Sequence, residues 1–190
     1  AEVMCNLSAS PFTPRKNQQR RRLVLGAASS FACVYAYANL LGCDNSRLVF
    51  DGGGFVATPQ GVVVEGRILS PNYSTLATGV VDLDDIARVR AENSTWRQEV
   101  AHRNLVDGPL VVDASDGAFA PAPVKDFAAQ MPSSFFTPEP VQNGDEVEHY
   151  LDELFDALVL GLRDYYEKVN AFKCFLVALS GGRDSALCLL

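Results

Sequence analysis

The sequence has no uninterrupted apolar run that approaches the ~18 residues of a membrane span. Its first residues lack the charged-then-apolar layout of a signal peptide. Both absences predict a soluble protein with no membrane partner. Basic charge is also scarce: 16 Lys and Arg stand against 23 Asp and Glu, for a formal net charge of −7. That balance disfavours broad attraction to phosphate backbones or anionic lipid, so nucleic acid is not an expected partner. No C-x-x-C pair occurs among the cysteines at 5, 33, 43, 174 and 188, and their odd number argues against a disulfide framework. Most lie in apolar runs and read as buried thiols of a reducing, cytoplasmic setting. Histidine is limited to His102 and His149, neither near a plausible nucleophile in sequence. Both are expected at the surface.

What is present is a 48% hydrophobic chain of 190 residues, enough for a real core. It opens on Ala inside the strand-like "AEVMCNL" and stops inside the apolar, helical "SALCLL". Those two ends suggest a piece of a longer chain. Between them the pattern predicts a strand over 2–7 and a helix over about 15–31. Four β-rich runs follow: "CVYAYAN", "RLVFDGGGFVA", "GVVVEGRIL" and "TLATGVVDL". The "TPQG" at 58–61 supplies hairpin turn chemistry, and Asp84 to Glu92 reads as a helix with acidic residues in its first turn.

Residues 105–145 change character, because six of the ten prolines fall between Pro109 and Pro140. This reads as a linker or crossing segment. Val147, Tyr150, Leu151, Leu154, Phe155, Leu158, Leu162, Tyr165 and Val169 then recur at helical spacing, and their apolar face is expected to dock. "CFLVAL" at 174–179 is short and continuously apolar, as a strand buried on both faces of a parallel sheet would be.

After that predicted strand comes "SGGRDS", leading into a helix. Gly181 and Gly182 permit close backbone approach, Ser180 and Ser185 add hydroxyls, and a helix N-terminus favours negative charge, so the loop suits a polyphosphate. Asp184 would repel that ligand unless a divalent cation lay between them, which makes it the Mg²⁺ candidate. The Walker A spacing and its Lys are missing, so transfer of a terminal phosphate is not suggested. A Gly-rich turn of no function is the alternative for the six residues.

Strand, SGG-x-DS and helix resemble the pyrophosphate loop of the ATP-pyrophosphatase families. By itself the loop does not choose among NAD, GMP and asparagine synthetases and tRNA-thiolating enzymes. "NLSASPFTPRK" (6–16), "YANLLGCDNSRLVFDGGGFVA" (37–57), "GVVVEGRIL" (61–69) and "VDLDDIARVRAE" (81–92) resemble the carbon–nitrogen hydrolase, or nitrilase-like, glutaminase domain of glutamine-dependent NAD synthetases. The order of the two units resembles that family. The resemblance implies an α/β fold in three parts. Residues 1–100 would be the C-terminal part of a nitrilase-like α-β-β-α sandwich, and 101–145 a linker. Residues 146–190 would be the opening helix–strand–loop of a doubly wound, adenine-nucleotide α-hydrolase-like domain.

It further implies glutamine, ATP and nicotinic acid adenine dinucleotide as substrates, Mg²⁺ as cofactor, and a homo-oligomer when intact. Ser10 and Lys16 would bind glutamine, whereas Ser180, Gly181, Gly182, Arg183, Asp184 and Ser185 would hold ATP or pyrophosphate. None of the five cysteines is followed by Glu, so the family's Cys-Glu-Asp nucleophile is expected upstream of Ala1, together with its Glu and Lys. The segment alone would be inactive. Cys5 reads as a buried strand residue, and Cys43, beside Asp44, as a thiol with a raised pKa. Gly54 stands where the family commonly has Ser, a departure that a turn would tolerate. Arg183 either adds a phosphate contact or faces solvent. The basic run "RKNQQRRR" (15–22) lacks interleaved aromatics and predicts a solvated or intersubunit helix face. A stand-alone carbon–nitrogen hydrolase and a non-catalytic phosphate-binding module remain the alternative readings.

Overall fold

The computed structural model describes residues 1–44, 47–108 and 146–190. It is an α/β arrangement on a mixed sheet. Strand β1 (Val3–Ser8) leads into helix α1 (Lys16–Phe31), then β2 (Val34–Asn39), β3 (Leu41–Cys43), β4 (Val49–Thr58) and β5 (Gly61–Ile68). Helices α2 (Leu83–Glu92), α3 (Ser94–Val106), α4 (Glu146–Val169) and α5 (Arg183–Leu187) follow. β1 runs parallel to β2, as a strand–helix–strand connection requires, and every other pairing is antiparallel.

Ten-residue β4 organises the sheet. Its Val49–Asp51 end pairs with β3 and its Gly54–Ala57 stretch with β2, while β5 lies along its length through a tight turn at the predicted "TPQG". Between those two pairings Gly52 and Gly53 take φ of 68° and 77°, a left-handed backbone that other residues adopt only with strain. The "DGGG" segment is therefore strand, not turn. Gly54 sits opposite Ala38, and a Cβ there would come within 2.8 Å of the Tyr37 carbonyl oxygen. A side chain there would require the backbone to shift, so the glycine is accommodated, though in a strand rather than in the turn expected.

The main core lies between α1 and the sheet: Val24 and Ala28 pack on Phe55, Ala57 and Val62, with Tyr35 and Tyr37 at the margin. A second cluster joins α4 to the unit, with Ala157 and Leu160 against Leu69, Phe12, Leu41, Val49 and Ile68. The apolar face predicted for α4 is not the one that docks. Leu151, Phe155, Leu158, Leu162 and Tyr165 are exposed, and Ala157, Leu160 and Asp164 are buried instead. The docking face carries Gly161 beside Val49 and Cys43, so this side lets the helix backbone approach the strands more closely than the bulky stripe could.

Two predicted strands are absent. Residues 75–82 lie beside β5, with Ala77 near Gly66 and Gly79 near Val63 and Val64, but form no ladder. "CFLVAL" is likewise not a strand: no sheet flanks it among the described residues, and Leu176 is 94% exposed. Helix α3 was not anticipated, and it carries regular structure across residue 100 to Val106. The linker is expected over 101–145, so α3 runs into its first residues, and 109–145 lie outside the described residues. Cys33 is buried, but Cys5, Cys174 and Cys188 are exposed; Cys5 lies on the edge strand β1, where Val3, Met4 and Leu7 are exposed as well. His102 and His149 are exposed as expected. No helix among the described residues is long and apolar enough to cross a membrane.

Candidate functional site

The basic run of α1 does not simply face solvent. Arg20 and Arg21 turn inward, Arg20 to Asp51 at 2.5 Å and Arg21 to Glu65 at 3.4 Å, with the side chains of Arg20 and Asp51 almost fully buried. Buried charges persist only where each is paired and hydrogen-bonded. Asp51 meets that condition twice over: one carboxylate oxygen accepts from Arg20 Nη1 and the other from Asn39 Nδ2 at 2.9 Å.

Both partners of Asp51 also grip Ser10. Arg20 Nη2 donates to the Ser10 carbonyl at 2.9 Å and to its Oγ at 3.2 Å. Asn39 accepts from the Ser10 amide at 2.8 Å and returns a bond from Nδ2 to the Ser10 carbonyl at 3.0 Å. Because Ser10 Oγ accepts from Arg20, its own proton remains able to donate elsewhere. Lys16, the first residue of α1, is half-buried and donates from Nζ to the Pro11 carbonyl at 2.9 Å. No carboxylate pairs with it among the described residues, and an ammonium has two further donors to offer.

Ser10, Lys16 and Arg20 line one cleft of about 430 Å³ between α1 and strands β1 and β2, shared with Asn6, Ser8 and Tyr35. Asn6 donates to the Tyr35 hydroxyl at 2.9 Å, which fixes the cleft's far wall. A cation, a hydroxyl and an amide converging on a space of this size suit a small, polar, carboxylate-bearing ligand.

The second predicted site, 180–185, lies at the surface, a loop over 180–182 that runs into the first residues of α5. Gly181 has φ 79° and Gly182 caps α5. The two serines close the loop on itself: Ser180 Oγ lies 3.2 Å from Ser185 Oγ and accepts from the Gly182 amide at 3.4 Å, and Ser185 Oγ donates to the Gly182 carbonyl at 3.0 Å. Asp184 and Arg183 are exposed. No group of three or more His, Cys, Asp or Glu side chains could hold a metal among the described residues. A Mg²⁺ at Asp184 would therefore take most of its shell from phosphate and water, which is how this ion is commonly held.

No protein-family model matches the chain. Individual proteins do. It is 30% identical over 187 residues to the glutamine-dependent NAD(+) synthetase of Aquifex aeolicus, covering 98% of this chain and 29% of that one. It is 32% identical over 189 residues to the Thermotoga maritima enzyme of the same name, covering 97% and 28%. This chain is a relative of the glutamine-dependent NAD(+) synthetases. It spans less than a third of their length. The crystal structure of a glutamine-dependent NAD(+) synthetase from Cytophaga hutchinsonii superimposes with a TM-score of 0.57 at 24% identity, over 99% of this chain and 21% of that one, and supports the fold.

Of the residues that the NAD synthetase resemblance singles out, Ser10 and Lys16 meet in one cleft, and no residue of 180–185 lines it. Arg20, Asn39 and Asp51 were missed. Their signal is a charge inside an apolar strand, Asp51 between Phe50 and three glycines, which implies a buried cationic partner. Cys43 carries no sign of reactivity: burial, then the Asp164 carboxylate, push its thiol up.

Proposed function

We propose that this chain is part of a glutamine-hydrolysing NAD(+) synthase. Ammonia released from glutamine amidates adenylated nicotinic acid adenine dinucleotide, and ATP is converted to AMP and pyrophosphate. The observation that carries this reading is the convergence of Ser10 and Lys16 on one cleft, whose walls also include the apolar Leu23, Val24 and Ala27. Lys16 there pairs the glutamine α-carboxylate, Ser10 Oγ contacts the same head group, and the Asp51 network holds Ser10 in place.

Residues 1–100 would then belong to a nitrilase-like glutaminase domain whose Cys, Glu and Lys triad lies outside this sequence, and 146–190 would begin the ATP-pyrophosphatase domain. In that second domain the backbone of Ser180 to Gly182 and the hydroxyl of Ser185 bind the departing pyrophosphate, with Arg183 at the solvent edge. Mg²⁺ would bind at Asp184 and neutralise phosphate charge as the pyrophosphate leaves. The setting is cytoplasmic and the intact protein a homo-oligomer.

Incubating the full-length protein with ATP, Mg²⁺, glutamine and nicotinic acid adenine dinucleotide tests this. AMP and NAD in equal amounts are expected. Ammonia release without AMP would indicate a stand-alone carbon–nitrogen hydrolase, and nucleotide binding with neither product a phosphate-binding module.

A further inference from the structure

Ser10 and Lys16 sit at the two ends of one short segment, and α4 touches the stretch between them at Phe12 and Arg15. The Phe12 side chain packs with Ala157 and Leu160 of α4, and its amide donates to the Val49 carbonyl at 2.7 Å. Arg15, immediately before Lys16, has φ 64° and ψ 1°. That left-handed conformation is unfavourable for any residue with a Cβ unless its surroundings hold it. Arg15 caps α1 without a side-chain cap bond of its own. Two things hold it: the turn Thr13–Pro14–Arg15–Lys16, closed by the Lys16 amide donating to the Thr13 carbonyl at 3.0 Å, and α4, where the Arg15 amide donates to Glu153 Oε2 at 3.0 Å and its guanidinium to Glu146 Oε2 at 3.2 Å.

The direction in which Lys16 enters α1 follows from that one backbone turn. If Arg15 relaxed to the right-handed or extended region, the first residue of the helix would be re-aimed, and with it the ammonium that lines the cleft. The Arg15 guanidinium contact is solvent-exposed and contributes little by itself. The amide contact is also at the surface, but it satisfies the donor of the strained residue itself.

We infer that Glu153 of α4 is a positioning residue for Lys16, acting by accepting the Arg15 amide and so fixing the left-handed turn that begins α1. The inference rests on the reading of Lys16 as a glutamine contact. It ties the helix at the start of the proposed synthetase part to substrate recognition in the proposed glutaminase part.

The test uses the full-length protein, with glutamine and, separately, ammonium chloride as nitrogen source. Glu153→Ala is expected to raise the glutamine KM about threefold to tenfold, as the turn loses one of its two supports, with kcat and the ammonium-driven rate unchanged. Glu153→Gln, which keeps an acceptor oxygen, should restore the KM. So should Arg15→Gly in the Glu153→Ala background, because glycine holds the left-handed turn unaided. A KM that stays put in Glu153→Ala while Lys16→Ala raises it overturns the role of Glu153 alone. A raised KM that neither Gln nor glycine repairs overturns it too. If Lys16→Ala itself leaves the glutamine KM unchanged, the glutamine reading falls, and this inference with it. Should Glu153→Ala not fold, Glu153→Gln and the double variant decide: a KM near that of the parent is expected in both, and one raised in both overturns the proposal.

Discussion

Arg20 Nη1 and Asp51 Oδ2 are 2.5 Å apart, with their side chains only 6% and 1% exposed, and the carbonyl of Ser10 hangs from the other arm of the same guanidinium. A pair so placed costs desolvation to bury, and most of its worth shows when one member is removed.

Asp51→Ala should therefore destabilise strongly, by about 3–5 kcal/mol, because it leaves the Arg20 charge buried and unmatched. Replacing both residues, Arg20→Met with Asp51→Leu, should recover part of that loss, since no lone charge remains. Urea denaturation of the two variants checks the difference. Equal losses would show that the pair is not acting as a unit.

Asp164 governs the docking of α4. Its buried carboxylate accepts the Cys43 amide at 2.8 Å and meets Lys168 at 2.8 Å and Arg163 at 2.6 Å. Burial by itself would raise the carboxyl, but the hydrogen bonds from Lys168, Arg163 and the Cys43 amide outweigh it and hold it below the ordinary 3.8. A depressed folded-state value means that the stabilisation is fully present above pH 3.8 and is lost as pH falls through the lower folded value. Asp164→Asn should remove that component of acid sensitivity and lower stability at neutral pH by about 1–3 kcal/mol. Urea midpoints between pH 7 and pH 2 measure it. An unchanged acid limb in the variant would show that Asp164 does not contribute.

Gly54→Ser should destabilise by about 1–3 kcal/mol, because the new Cβ meets the Tyr37 carbonyl within the β2–β4 ladder and the strands must part. A thermal melt of the variant is sufficient. A stable Gly54→Ser protein would mean that the two strands have room to separate at this point.

Asp184→Ala should reduce AMP formation by the full-length protein at least tenfold at millimolar Mg²⁺, with partial recovery as Mg²⁺ is raised, if the carboxylate holds the ion against the phosphates. AMP formation that is untouched at all Mg²⁺ concentrations would remove Asp184 from the metal site.

Local rules made the strand–helix–strand opening and the β4–β5 hairpin readable: period-two runs, a proline–glycine turn and a helix of good length. Ser10 and Lys16 came from the family resemblance, and the structure gathers them into one cleft. What lay beyond the sequence were pairings between distant positions. Nothing near Arg20 announces Asp51, 31 residues away, and a cationic run therefore reads as solvated when two of its five basic residues, Arg20 and Arg21, are paired inside. The same limit misdirected α4. Hydrophobic periodicity selects the bulkiest stripe, whereas the sheet accepts the narrower Ala157–Leu160–Asp164 side, where a carboxylate reaches a strand amide. "CFLVAL" was read from composition, but a strand is defined by neighbours, and none of the described residues provides them.

α4 is fastened near both ends, by Arg15 at Glu153 and by the Cys43 backbone at Asp164 and Lys168. Those points lie about 16–22 Å apart along its axis at 1.5 Å per residue. A rod pinned at two separated places can neither swivel nor slide, so the compass bearing of its outward Leu151, Phe155, Leu158 and Leu162 is set by residues that never touch them.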